Sequence, residues 1–538
     1  MKIHTRIVTF TFLLATAASA AISEPVKIDT GSLTGTAGKD PSVRIFRGIP
    51  FAAPPLGDLR WKAPQPPAKW EGVRAAEQFS PTCTTGAGGG GGGRGQGKGG
   101  GKGGAPKGDG APKAAPDQAK VAPARGPAGP PPSEDCLYLN VWTTAKAASD
   151  RLPVIVWVYG GGFTGGSGSE ARYEGEMLSR KGAVVVTFNY RLGMFGFFAH
   201  PELAAESGHN SSGNYGMMDL QATLKWVQKN IAAFGGDPRR VTIAGESAGA
   251  IMVSAMVGSP EGKGLFQRAI AQSGAWMGLS AAKMRTRAEA EAAGKTAAGS
   301  HTIAELRGMS TADVAQNVRG VRAEIIVDGF MVPEDESITY AKGKQNDVDI
   351  LVGSNHDEGT FFARGAVTAD SLKMTAAQTF GDLAPEFLKL YPATTDAEAT
   401  ASSLARSRDE VGWHMRTWAD LQVKRGRKAY IFYFTHIPPG SGDRGASHTA
   451  ELAYMFNNPG NAAWTDVDQK LADQMTTYWV NFAATGDPNG KGLPQWQPYN
   501  VKNNDAKAMV FGDTAQFGPQ IDQPRLAFFD KYYAVVKK

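Results

Sequence analysis

Cysteine is scarce in this sequence: 538 residues contain only Cys83 and Cys136. No Cys or His grouping has zinc-ligand spacing either, so no metal site and no cofactor is expected. Long apolar runs are missing too. Nowhere do about 20 apolar residues follow one another, and no segment reads as a transmembrane span. Basic charge looks plentiful, with 57 Lys and Arg against 51 Asp and Glu for a formal net charge of +6, yet it is confined. Seven basic and two acidic residues between Gly86 and Pro132 supply +5, Lys2 and Arg6 supply +2, and the rest of the chain is left at −1. A near-neutral body has no electrostatic footprint for nucleic acid. The basic segment also lacks any aromatic residue on which bases would stack, so a nucleic-acid partner is excluded. Internal repeats are absent as well.

What is present is length and apolar content, 42% hydrophobic over the whole chain, enough to bury a substantial core. Residues 1–20 open with Lys2 and Arg6, run through an apolar stretch and end in Ala18-Ser19-Ala20. That order reads as a cleaved signal peptide, so the mature protein is expected to be exported, to the periplasm or the exterior. Residues 21–538 are expected to form one domain carrying a low-complexity insert at about 86–132. Polyglycine with scattered basic residues, then an Ala/Pro/Lys segment, has no apolar periodicity to offset its ordering entropy and is expected to be disordered. Gly92–Lys98 imitates a phosphate-binding loop, but Gly99 stands where a metal-ligating Ser or Thr is required. A weak contact with anionic surfaces is the binding role its charge suggests. Cys83 and Cys136 bracket the insert, and in an oxidising compartment they are expected to form a disulfide.

The rest of the chain alternates β-like and α-like patterns. Short, nearly continuous apolar runs occur at 153–159, 183–189, 240–244, 268–272, 349–353 and 428–435. Such runs suit a mostly parallel, twisted sheet covered by helices on both faces. Residues 217–231 place Leu220, Leu224, Val227 and Ile231 along one helical stripe. An α/β fold with a doubly wound sheet follows. The run 241–250, Val-Thr-Ile-Ala-Gly-Glu-Ser-Ala-Gly-Ala, then joins a strand to a small-residue helical stretch through Gly-x-Ser-x-Gly. Strand, sharp turn and helix in that order make a nucleophile elbow, with Gly245 and Gly249 leaving room to hold the Ser247 hydroxyl clear of the sheet.

In such sheets the chemistry collects beyond the carboxyl ends of the strands. After 153–159 comes Gly160-Gly161-Gly162-Phe163, whose backbone N–H groups can point at a ligand. With the N–H of Ala248, Gly161 and Gly162 can donate to a developing alkoxide. After 349–353 comes Ser354-Asn355-His356-Asp357-Glu358-Gly359, two adjacent carboxylates in place for the acid. Downstream bases are His414 in an amphipathic helical stretch, His436 at a strand end, and His448 in a loop flexible enough to swing toward Ser247. Residue types and order leave the acid open and favour His448 as the base, His414 reading as a packing residue.

Phe46-Arg47-Gly48-Ile49-Pro50-Phe51-Ala52, Leu59-Arg60-Trp61, the run 133–141 (SEDCLYLNV), Phe188-Asn189-Tyr190-Arg191, Gly213-Asn214-Tyr215-Gly216, 234–238 (FGGDP) and 485–488 (TGDP) add a further pattern. Their fixed order over nearly the whole mature chain resembles the type-B carboxylesterases, the α/β-hydrolase family of bacterial para-nitrobenzyl esterases and animal cholinesterases. The resemblance implies a serine carboxylesterase with Ser247 as nucleophile, Glu358 as acid and His448 as base, on a small-molecule ester. It places the oxyanion donors on Gly161, Gly162 and Ala248. Glu246 and Ser273 fall on supporting positions, Asp357 on a structural one, and Cys83–Cys136 on the family's disulfide loop.

Two departures bear on substrate and role. Cholinesterases carry a tryptophan inside the disulfide loop to hold a quaternary ammonium, and none lies between Cys83 and Cys136. A choline ester is therefore not expected, whereas a lipid, polyester, toxin or carbamate ester stays open. The family's adhesion members, the neuroligins, have a damaged catalytic set, while Ser247, Glu358, His448 and the three glycines are intact here.

Overall fold

Six apolar runs became the heart of one large sheet. In the computed structural model, residues 22–85, 130–275, 283–363, 365–500, 507–521 and 523–536 are described; the expected leader (1–20) and residues 86–129 of the expected insert lie outside them. In chain order the sheet contains β1 (Thr36–Ala37), β2 (Arg44–Pro50), β3 (Tyr138–Thr143), β4 (Leu152–Val158), β5 (Val184–Phe188), β6 (Gly236–Glu246), β7 (Arg268–Gln272), β8 (Asp349–Asn355), β9 (Ala429–Phe434), β10 (Lys507–Phe511) and β11 (Ala515–Pro519). Their spatial order is β11-β10-β9-β8-β7-β6-β4-β5-β3-β2-β1. Every pairing from β10 to β5 is parallel, and the antiparallel pairings lie at the two edges. The α/β-hydrolase architecture and the mostly parallel sheet thus stand, with helices on both faces. Val26–Ile28, Gly31–Thr34 and Val73–Ala75 form a separate small sheet.

Burial explains why the central runs are uninterrupted. From Pro153 to Val158 every residue of β4 is buried, as is all of β5 and β9, because both sheet faces are covered. The helix before the elbow, α1 (Tyr215–Asn230), buries Leu220, Leu224 and Val227 along the expected stripe. The helix after it, α2 (Ala248–Gly258), is buried on all sides from Ala248 to Val257, which its small apolar residues permit.

Several boundaries moved. The strand expected at 240–244 spans Gly236–Glu246, and its pairing with β4 slips between Leu152 and Val154. Asp237-Pro238 sits inside that slip, where proline's missing N–H costs no ladder bond. Strands β2 and β3 lie within segments that had shown only family motifs, because Arg44, Arg47, Gly48 and Pro50 in β2 and Asn140 and Thr143 in β3 interrupt the apolar run although both strands are largely buried. Cys83 and Cys136 are joined as expected, with Cα atoms 5.0 Å apart. Beside them Arg60 donates to both carboxylate oxygens of Glu134 at 2.7 Å, a buried pair that ties the base of the insert to the body.

Candidate active site

Parallel pairing sets Ser247 between its supports. Strand β6 lies between β4 and β7, and the Ser247 N–H donates to the Gln272 carbonyl at 2.9 Å as the chain leaves the sheet. Ser247 has φ 54° and ψ −124°, a conformation that side chains rarely adopt, and α2 starts at the next residue. Glycines make the turn possible. A Cβ on Gly249 would stand 2.0 Å from the Val158 carbonyl oxygen, and one on Gly245 would stand 2.6 Å from the Gly249 backbone.

Three side chains line up from that turn. The Ser247 Oγ is 2.8 Å from His448 Nε2, and His448 Nδ1 is 2.5 Å from Glu358 Oε2. A carboxylate only accepts, so Nδ1 carries the proton and Nε2 is left to receive one from Ser247. Glu358 opens the short helix α3 (Glu358–Phe362), and its other oxygen accepts the Asn355 N–H at 2.9 Å. Both His448 and Glu358 are fully buried. The flexible loop expected around His448 is instead fastened: Asn355 Nδ2 donates to the Ser447 carbonyl at 2.8 Å and Asp357 accepts the Ala446 N–H at 2.8 Å.

The glycine loop lies opposite. Gly161 and Gly162 are exposed and have φ 108° and 61°, values open to glycine. Among the described residues the N–H groups of Gly161, Gly162 and Ala248 donate to no other group, and Ala248 stands at a helix N-terminus. Such N–H groups suit a negative charge.

Buried carboxylates crowd the imidazole. Glu246 Oε1 lies 3.3 Å from His448 Nε2, and Glu246 Oε2 fills the space a Cβ on Gly160 would need. Burial pushes Glu246 well above the usual carboxylate range; the His448 cation opposes that and the charges of Glu451 and Glu358 add to it. Burial also raises Glu451, against hydrogen bonds from Asn355 and Gln272. For His448 burial favours the neutral ring, yet the charges of Glu358 and Glu246 outweigh it and hold its pKa up at about 9. Ser273 donates its N–H to Gly353 at 2.8 Å, but its hydroxyl makes no bond to the three side chains. Its support is through the backbone alone.

The other histidines are occupied elsewhere. His414 is buried on α4 (Asp396–Lys424) near the Tyr533 hydroxyl, and His436 bridges Asp468 and Asp513 at 2.8 Å each. Two features escaped sequence reasoning. Glu451, one turn beyond His448, joins Gln272 and Asn355 beneath the site. Phe361 and Phe362 flank the His448 ring with centroids 5.0 and 4.8 Å away, yet are 53% and 40% exposed. Their adjacency to Glu358 was the available signal. Among the described residues no cluster of three or more His, Cys, Asp or Glu side chains is placed to hold a metal ion. None of their helices is long and apolar enough to cross a membrane.

The model of the carboxylesterase family matches residues 23–529. This chain belongs to the carboxylesterase family. The carboxylesterase is 34% identical to fumonisin B1 esterase of Sphingopyxis macrogoltabida, over 95% of this chain and 92% of the relative. It is 31% identical to the para-nitrobenzyl esterase of Bacillus subtilis, over 93% and 98%. A solved para-nitrobenzyl esterase superposes with a TM-score of 0.75 at 27% identity, covering 94% of this chain and 98% of that one. A carboxylesterase of Geobacillus stearothermophilus gives 0.73 at 30%, covering 94% and 99%. The carboxylesterase is accordingly a carboxylic ester hydrolase.

Proposed function

We propose that this carboxylesterase cleaves its ester through an acyl-enzyme on Ser247. His448 Nε2 takes the hydroxyl proton as Ser247 Oγ attacks the ester carbonyl. The tetrahedral oxyanion forms against the N–H groups of Gly161, Gly162 and Ala248, each worth about 3 kcal/mol of transition-state stabilisation. Glu358 holds the imidazole in its tautomer and stabilises the cation. The imidazolium returns the proton to the alkoxide as the ester C–O bond breaks, and the alcohol leaves. Water then repeats the sequence, giving its proton to His448 and its oxygen to the acyl carbon, and the acid departs. Glu246 and Ser273 act as supports rather than participants. The observation that carries this assignment is the unbroken hydrogen-bonded line from Ser247 Oγ through His448 to Glu358.

The substrate side is read from the mouth. Two exposed phenylalanines beside the base, and an exposed glycine loop opposite, favour an ester with apolar bulk. Similarity to fumonisin B1 esterase along nearly all of both chains favours a second, narrower reading, a toxin ester. The disulfide supports export, with the leader removed after Ala20. The test compares p-nitrophenyl esters of increasing chain length and fumonisin B1 on wild type and Ser247→Ala. Expected is turnover of p-nitrophenyl esters by wild type and a loss of about 10⁴-fold or more in the variant. Undiminished turnover in Ser247→Ala overturns the nucleophile. No turnover of any ester by wild type would revive a purely binding role.

A further inference from the structure

The loop bearing His448 has no secondary structure to hold it, yet Nε2 meets Ser247 at 2.8 Å. Its position is set where two chain segments run side by side just past the sheet. Asp357 and Ser447 form an isolated parallel bridge, so Glu358 and His448 are the next residue on each side. The acid and the base are one rung beyond Asp357.

Asp357 makes that rung with side chain and backbone together. Its N–H donates to the Ala446 carbonyl at 2.9 Å, and its Oδ2 accepts the Ala446 N–H at 2.8 Å. Its Oδ1 meets His356 Nδ1 at 2.8 Å, which holds the carboxylate from the outer side. Beside it Thr360 Oγ1 lies 2.9 Å from the Arg444 carbonyl oxygen. The carboxylate also occupies the space around Gly445, where a Cβ would stand 2.1 Å from Oδ2 and where φ is 58°. Only a residue without a side chain fits there comfortably. Asp357 is part-exposed and not bonded to Ser247 or His448, so it is no member of the catalytic line.

We infer that Asp357 is a positioning residue: its carboxylate clamps Ala446 and so fixes the register of His448 against Glu358 and Ser247. The inference rests on the catalytic roles proposed above for those three. Adjacent carboxylates in the sequence then divide the labour. Glu358 bonds the imidazole, and Asp357 bonds the main chain that carries it. A base displaced by about 1 Å costs on the order of 100-fold in rate, whereas substrate binding is untouched.

The test uses the full chain with p-nitrophenyl butyrate, a fluorophosphonate probe for serine labelling, and thermal melting. Asp357→Ala is expected to lower kcat about 100-fold and slow labelling in parallel, with KM changed less than threefold. Asp357→Asn keeps an oxygen for the Ala446 N–H and is expected to recover kcat to within about tenfold of wild type. The clamp is overturned if Asp357→Ala keeps kcat within threefold, if its loss lies in KM, or if Asn is no better than Ala at equal melting temperature. Should Asp357→Ala not fold, Gly445→Ala, whose Cβ must displace Asp357 Oδ2, has to lower kcat by itself; an unchanged kcat there overturns the clamp equally. Ser247→Ala run alongside separates the two failures. If it is inactive while Asp357→Ala is not, only the clamp falls. If it stays active, the proposed nucleophile falls.

Discussion

Ser247 and His448 are brought together by supports of opposite kinds. The serine stands on a backbone device, a central strand turning sharply into a buried helix, with glycines where any side chain would collide with main-chain atoms. The histidine stands on a loop, and what holds it is a set of hydrogen bonds from Asn355, Asp357 and Glu358 at the end of β8. Hard-sphere exclusion in the first case leaves one conformation. In the second, several modest bonds, about 1 kcal/mol each, must cooperate. The proposed nucleophile is thus fixed by sterics and the proposed base by polar stitching, and the two halves should fail differently.

Two glycines make that contrast measurable, and they carry the largest expected effect. A Cβ at Gly249 meets the Val158 carbonyl oxygen at 2.0 Å, in the middle of the sheet, where nothing can yield. A Cβ at Gly445 meets Asp357 Oδ2 at 2.1 Å, the far end of a side chain that can rotate away, in a residue of φ 58°. Gly249→Ala is expected to abolish turnover, by about 10³-fold or more, and to lower the melting temperature. Gly445→Ala is expected to lose about 10- to 100-fold in kcat with little change in melting temperature, the strain amounting to about 1–2 kcal/mol. Comparable losses in both, measured by kcat and melting together, would erase the distinction between the two supports.

The same contrast governs what was legible in the sequence. An elbow is local: Gly245 and Gly249 flank Ser247 within two residues, and the apolar run before it marks the strand. The central strands were legible too, because coverage on both faces writes itself as consecutive apolar residues. Asp357 and Glu358 could not be told apart by type. The resemblance favoured Glu358, and it is Glu358 Oε2 that lies 2.5 Å from His448 Nδ1. What stayed hidden depends on distant partners. Glu451 has the composition of a surface residue, and its burial follows only from meeting Gln272 and Asn355. Phe361 and Phe362 carry no motif or period that marks them, and the short α3 leaves them half-exposed beside His448. Strands β2 and β3 were hidden because polar and turn-forming residues break their apolar runs, and the slip around Pro238 because register is set by the partner strand.

A medium effect tests the charges on the histidine side. In the proposed mechanism His448 must be neutral to accept the Ser247 proton, so kcat/KM is expected to be low below its pKa and to rise as pH climbs through it. Burial alone would lower that pKa, but Glu358 and Glu246 hold it above the ordinary 6.5. The acid limb of kcat/KM is therefore expected above pH 6.5, and a limb at or below that value would refute the electrostatic picture. Glu246→Gln keeps the shape that fills the space beside Gly160 and removes one of the carboxylates facing the ring, leaving Glu358 and Glu451. Its limb is expected to move toward acid, with kcat on the alkaline plateau down less than tenfold. If the limb stays put, Glu246 keeps its proton throughout the titration and contributes shape only.

The smallest catalytic effect is expected at the disulfide, which belongs to neither support. Cys83 and Cys136 close a loop of 53 residues, and the chain-entropy account assigns such a closure about 4 kcal/mol at most. None of the bonds that place Ser247, His448 or Glu358 comes from Cys83, Cys136 or the Arg60–Glu134 pair beside them. The double variant Cys83→Ser/Cys136→Ser is accordingly expected to melt several degrees lower while keeping kcat and fluorophosphonate labelling within about twofold. A stability loss without a catalytic loss would leave the elbow and the stitched loop as the two supports on which catalysis depends. If kcat collapses in protein that is still folded, the bridge reaches the site mechanically through the segment 133–141 and β3, which pairs with β5 beside the central strands, and a third support must be counted.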